Sequence, residues 1–293
     1  MESEAAYLEH PTGATPSANL DVVRSSGLRA PSLAAPRALP RLAAGLGLWV
    51  KRRIAPLSLI AFMVAVWSLE RVLIGQVHAG RPIGYLAFGA LPNATVVGRG
   101  SPDQWWRYVT SALVHDKASV LPLGINAVGL LLVGRWVEQL YGRLAFLATL
   151  SAATVAGGIA WIAWTALGLA AVPGSSQGAS AAVCGLIGLL LAYGRAEGTR
   201  ALPQTRRRVQ MRAGAAIALF VLAGLVVPNL NNVVHASALA CGLLLGRIIP
   251  AMASAGGRRQ RHLERAALWS VLAASAIAVV MAGQNLVQRL LQT

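Results

Sequence analysis

The sequence predicts an all-α polytopic membrane bundle, a six-helix core followed by a seventh, C-terminal transmembrane helix. Three observations carry that expectation. Of 293 residues, 56% are hydrophobic and only 12% charged, about half the charged share of an average soluble domain. The apolar residues gather in runs, seven of which approach the roughly 17 to 25 residues that a membrane-crossing helix needs. Arginine clusters bound the runs, and Lys plus Arg outnumber Asp plus Glu by 26 to 10, a formal charge of +16. This composition excludes a soluble globular enzyme. It also sets nucleic acid aside as a partner, because basic residues recurring between apolar spans are explained by membrane orientation.

Residues 1–45 hold Pro11, Pro16, Pro31, Pro36 and Pro40 and four of the ten acidic residues, without apolar periodicity. A disordered cytoplasmic tail is expected there. No charged start followed by a short apolar stretch and a small-residue cleavage site occurs in it, so no cleaved signal peptide is expected. The spans then run over about 54–75, 121–141, 144–167, 177–193, 212–227, 232–249 and 266–285. From 144 to 194 there is no charge at all, and Pro173-Gly174-Ser175-Ser176 divides this stretch into two helices. Pro228-Asn229-Leu230-Asn231 divides the next apolar region in the same way. The expected division is a tail (1–45), a six-helix membrane domain (46–250), and a cytoplasmic loop with the seventh helix (251–293). Cys184 and Cys241 lie inside apolar runs and read as small packing residues.

Orientation follows from the basic residues, which are retained on the cytoplasmic side. Of the 26 Lys and Arg, 20 fall in the tail and in alternate loops on one side, and six on the other. The amino terminus is therefore expected in the cytoplasm and the carboxyl terminus outside. The long outer loop, 76–120, is expected to lie partly in the interface, with Trp105, Trp106 and Tyr108 at headgroup level around a snorkelling Arg107.

Spans two, four and six all start outside, so Asn126, Ser180 and His235 share one depth, about 5 Å into their helices at 1.5 Å per residue. His235 is the only histidine in the seven spans, and an ionisable residue at such a depth is a functional-site hypothesis. A serine hydroxyl needs a base to take its proton, and imidazole suits that work at neutral pH. Small residues are available for the close helix approach this requires: Ala181, Gly185 and Gly188 on span four, and Ala238, Gly242 and Gly246 on span six. Ser180 opens its helix, where free N–H groups and the positive dipole end favour an oxyanion, and the Asn126 side chain can donate to it as well. The bland readings stand beside this. Serine and small-residue stripes are ordinary packing features, Asn126 can simply bridge helices, and a membrane histidine can be a proton relay or metal ligand. For a metal, the nearest further donors are His115 and Glu70, a weak tetrahedral set.

At these residues the sequence resembles the rhomboid family of intramembrane serine proteases, over roughly 54–250. Gly178-Ala179-Ser180-Ala181 is similar to the family's Gly-x-Ser-Gly, and His235 through Gly242 to its His-x-x-Gly-x-x-x-Gly. Trp106-Arg107 with His115 and Asn126 resembles the loop-to-second-helix pattern, and Glu138 with Gly142 the end of that helix. The resemblance implies Ser180 as nucleophile, His235 as base, Asn126 with the Ser180 amide as oxyanion donors, and Gly178 or His115 as further site or substrate-backbone contacts. It implies transmembrane proteins as substrates, cleaved near the outer face of the membrane, and no metal or organic cofactor. A bacterial inner membrane is the expected location.

Three departures from the family pattern bear on activity. Ala181 and Ala238 replace glycines, which implies a slightly wider seam between helices four and six. Pro122 stands where the family usually has an oxyanion-donating histidine, four residues before the asparagine. The interval from His115 to Asn126 is about two residues longer than usual. These motivate an alternative, a catalytically silent rhomboid-like chaperone or scaffold; a small-solute transporter is a third reading, which predicts broken helices and a midplane polar site.

Overall fold

A chain surrounded by hydrocarbon must satisfy its backbone polar groups internally, so long apolar runs fold as helices. The computed structural model describes residues 54–74, 77–78, 81–82, 84–94, 104–169, 174–196, 202–226, 231–251 and 258–291. The expected tail, 1–45, lies outside them, as does most of the second turn motif at Pro228.

Helix α1 is Ile54–Leu73. Pro56, Met63 and Glu70, each seven residues from the next, make a buried line along it, while Phe62, Val64, Leu69 and Val72 on other faces are exposed. That split is what a peripheral membrane helix shows, with one line on protein and the rest facing lipid. The loop after α1, named the outer loop for the side on which it is expected, carries a two-residue hairpin, β1 (Val77–His78) and β2 (Arg81–Pro82), then short helix α2 (Tyr85–Phe88), strand β3 (Leu91–Pro92) and short helix α3 (Arg107–Thr110).

Helix α4 (Leu121–Gly129), a π-helical turn (Leu130–Gly134) and helix α5 (Arg135–Ala166) follow one another directly, 46 residues from Leu121 to Ala166. Two membrane spans lie in this stretch because Gly142 leaves the helical conformation, at φ 87° and ψ 169°, which glycine adopts at little steric cost. Glu138 secures the bend: its Oε1 pairs with Arg143 Nε at 2.7 Å, just past Gly142, and its Oε2 accepts the Ala55 N–H at 3.3 Å at the start of α1. The expected division between 141 and 144 falls at this residue.

After strand β4 (Ser175–Ser176) come helices α6 (Ser180–Leu191), α7 (Pro203–Val226), α8 (Asn232–Ile248) and α9 (Arg258–Leu291). Helix α7 starts nine residues before the apolar run, because Pro203 suits a first helical turn and arginine is a good helix former. Helix α6 is apolar on every side, and Ala181 through Leu190 are all buried at the centre of the bundle. Its seam with α8 is closed to backbone contact, since a methyl group added at Gly242 would run into the backbone of Gly185, and one at Gly246 would lie 2.9 Å from the Leu189 carbonyl. Ala181 and Ala238 do not hold this part of the seam open; both are buried in the packing between α6, α8 and α5.

Helix α9 lies against α5 through a Ser275–Ser151 hydrogen bond of 2.8 Å. Near its end, Asn285 donates to the Ala87 carbonyl at 3.0 Å, and Leu286 and Leu290 pack beside Phe88 and Val114. The outer loop is thus sewn to the last helix. One expectation for that loop is corrected. Arg107 does not snorkel to headgroups but is buried within the loop, donating to Gln104 Oε1 (2.6 Å) and to the carbonyls of Leu86 (2.6 Å) and Ala90 (3.1 Å). Trp106 is buried with it, its ring 4.3 Å from the guanidinium carbon. Three backbone and side-chain acceptors in a fold-back loop outcompete the interface for a planar five-donor group.

Candidate active site

Two local devices deliver Ser180. Strand β4 pairs antiparallel with β3, Leu91 opposite Ser176 and Pro92 opposite Ser175, which ties the segment before α6 to the outer loop. Two residues on, the Gly178 N–H donates to the Ser111 carbonyl at 2.8 Å, and Gly178 takes φ +104°, a conformation that favours glycine. The chain then turns into α6 with Ser180 as its first residue. The N–H groups of that first turn have no partner within the helix and point towards its N-terminal end.

His235 sits in the first turn of α8, whose start is capped by Asn231: its side-chain oxygen accepts the Val234 N–H at 3.3 Å. The two first turns meet. His235 Nε2 lies 2.7 Å from Ser180 Oγ, and both residues are half-buried. A neutral imidazole protonated at Nδ1 accepts the serine proton at this contact. Phe220 of α7 stands edge-on to the His235 ring, with centroids 6.4 Å apart and planes at 86°. The same Phe220 ring limits space at Gly129 of α4, where an added methyl would come within 3.0 Å of it.

Asn126 is buried on α4, one turn above the π-helical segment. Its carboxamide faces the serine turn, for a methyl built at Gly178 would lie 3.5 Å from Asn126 Nδ2. Pro122 occupies the second position of α4, where a missing N–H costs nothing. His115 comes back towards the site from the loop: its Nε2 lies 3.1 Å from Asn126 Nδ2 and its Nδ1 3.1 Å from the Leu113 carbonyl. Burial holds the His115 imidazole below its ordinary pKa, with the Leu113 carbonyl opposing in part. It is therefore neutral at pH 7.

All five residues expected from sequence, Ser180, His235, Asn126, Gly178 and His115, lie in this neighbourhood. The metal alternative receives no matching geometry, because Glu70 takes the backbone N–H of His115 at 3.1 Å while the His115 ring turns to Asn126. Among the described residues, no three His, Cys, Asp or Glu side chains group as metal ligands do. Cys184 and Cys241 are free thiols. Sequence reasoning missed Phe220 and Ser111. An apolar residue in an apolar run and a serine in a loop carry no periodic signal that would single them out.

Residues 102–252 match the profile of the Rhomboid domain, which is more than half of the chain. The chain belongs to the rhomboid family. It is a polytopic integral membrane protein, and Asn126, Ser180 and His235 all fall within the rhomboid match, whereas α1 and α9 lie outside it. A curated relative, the Rhomboid protease GluP of Bacillus subtilis (strain 168), is 34% identical over 106 residues, which is 36% of this chain and 18% of that relative. The chain thus matches less than a fifth of its relative's length. No solved structure matches.

Proposed function

We propose that this rhomboid-family protein is an intramembrane serine endopeptidase that cleaves transmembrane proteins near the outer face of the membrane. The observation that carries the reading is the 2.7 Å contact between Ser180 Oγ and His235 Nε2, formed by two helices locked along a glycine seam. In this reading Ser180 Oγ attacks the scissile carbonyl carbon as its proton passes to His235 Nε2. The oxyanion that forms is met by the Asn126 carboxamide and the first-turn amide of Ser180. When the intermediate collapses, the C–N bond breaks and His235 returns the proton to the leaving amine. A water molecule, deprotonated by the same imidazole, then hydrolyses the acyl ester.

Substrates are single-span helices whose upper turns open readily, because a stable helix hides its carbonyls in internal hydrogen bonds. The basic bias of the loops supports a cytoplasmic amino terminus, and an odd number of spans then leaves the carboxyl terminus and the dyad on the outer side. A bacterial inner membrane is the proposed location. The scaffold alternative has no use for a hydrogen-bonded dyad.

The test is labelling of detergent-purified protein by a fluorescent fluorophosphonate, with Ser180→Ala and His235→Ala compared at matched folding. Labelling that needs both residues is the expected result. Folded wild-type protein that stays unlabelled, while an active rhomboid protease labels in the same detergent, would overturn the reading.

A further inference from the structure

We propose that His115 is a positioning residue that aims the Asn126 carboxamide into the site, and that Glu70 of α1 holds His115 in place for this task; the inference rests on the peptidase reading above. A carbonyl oxygen only accepts, so the 3.1 Å contact from His115 Nδ1 to the Leu113 carbonyl requires the proton on Nδ1. Nε2 of the neutral ring is then a lone pair, and its 3.1 Å partner, Asn126 Nδ2, is the donor. This settles which way round the carboxamide sits. One Nδ2–H is spent on His115, and the amide nitrogen is held beside Gly178 with its second N–H available to the serine turn. A free carboxamide would divide its time between two faces, one of which presents an acceptor and repels an oxyanion.

His115 is in turn held by α1. The buried Glu70 carboxyl group accepts its N–H through Oε2 at 3.1 Å. The residues that follow are gripped by the same helix end: Trp67 Nε1 donates to the Asp116 carbonyl at 2.9 Å, Arg71 to the Lys117 carbonyl at 3.1 Å, and Lys117 Nζ to the Ile74 carbonyl at 2.6 Å. A helix outside the matched rhomboid stretch thereby reaches Asn126 through one side chain.

The experiment uses the full chain in detergent with a fluorogenic transmembrane substrate. His115→Leu is expected to lower kcat by about 10- to 10²-fold, up to the lower end of the cost of losing one oxyanion donor, with KM little changed. Asn126→Ala is expected to cost about as much, and the double variant to fall no further. His115→Gln, which offers Oε1 near the place of Nε2, recovers most of the loss, and Glu70→Gln, still an acceptor for the His115 N–H, outperforms Glu70→Ala. Independently of turnover, the 15N spectrum of histidine-labelled protein, with His115 assigned by its loss in His115→Gln, is expected to show Nδ1 protonated and an Nε2 signal that moves in Asn126→Ala. Additive losses with no rescue by glutamine, or a His115 protonated at Nε2, would overturn the proposal. Cleavage that persists in Ser180→Ala would instead overturn the peptidase reading.

Discussion

Ser180 and His235 are 55 residues apart in the chain and 2.7 Å apart in the structure. The approach depends on two helix starts meeting at one level and on a seam below them where backbone touches backbone.

Phe220 leans its edge on His235 from α7. Its truncation to alanine leaves the imidazole room to tilt away from Ser180, and small misplacements of a reacting group are costly. Phe220→Ala is expected to lower kcat by about 10-fold to 10²-fold with KM near the wild-type value. Steady-state kinetics on the transmembrane substrate check this, and Phe220→Leu, which keeps part of the packing, is expected to fall between. Unchanged kcat would mean that the ring only fills space.

Gly242 faces the Gly185 backbone with no room for a methyl group, whereas nothing lies within 4 Å of the corresponding position at Gly214 on α7. Gly242→Ala must push α6 and α8 apart and is expected to cost about 1 to 3 kcal/mol of stability, together with loss of the dyad contact. Gly214→Ala should leave stability unchanged or slightly raised. Thermal unfolding in detergent compares the two, and equal effects would contradict the close seam.

Arg107 satisfies three acceptors inside the outer loop. Its replacement by alanine strands the buried Ala90 carbonyl and removes two part-buried bonds, at a cost of about 2 to 4 kcal/mol. Lysine should recover little, because a single ammonium cannot span the fork. A denaturant titration showing under about 1 kcal/mol lost would place these carbonyls in contact with water instead.

His115 has its pKa lowered below the ordinary 6.5 by burial. The unfolded chain therefore binds the proton first, so the stability this group contributes is complete above pH 6.5 and is lost as pH falls through the folded value. Protonation also sets an N–H on Nε2 against the Asn126 N–H. Wild-type protein is expected to lose more stability than His115→Gln between about pH 6.5 and pH 5. Parallel curves for the two would count against a neutral, buried His115.

Much of the candidate site was legible because the chemistry proposed for it demands particular residue types. A lone histidine in a span, a serine at a helix start and an asparagine at matching depth narrow the choices before any contact is known, since burying a polar group in hydrocarbon needs a reason. The role proposed for His115 was not legible in the same way. Eleven residues separate it from Asn126, and the chain between them includes Asp116 and Lys117, whose clamping by α1 decides where the imidazole ends up. Arg107 misled for a related reason: aromatic neighbours suggest an interface in one dimension, while the carbonyls that capture it come from 17 and 21 residues away.

By itself, then, the sequence determined that this protein lives in a membrane, where its helices fall, and which pair of side chains merits testing as nucleophile and base. Those properties follow from local composition, because hydrophobic length and charge placement act segment by segment. Tertiary structure alone decided the contacts of the His115 ring, the burial of Arg107, the packing of Phe220 on His235 and the backbone contact at Gly185 and Gly242. Hydrogen bonds and van der Waals contacts act over a few ångströms between segments distant in sequence, so residue order cannot report them until the helices have packed.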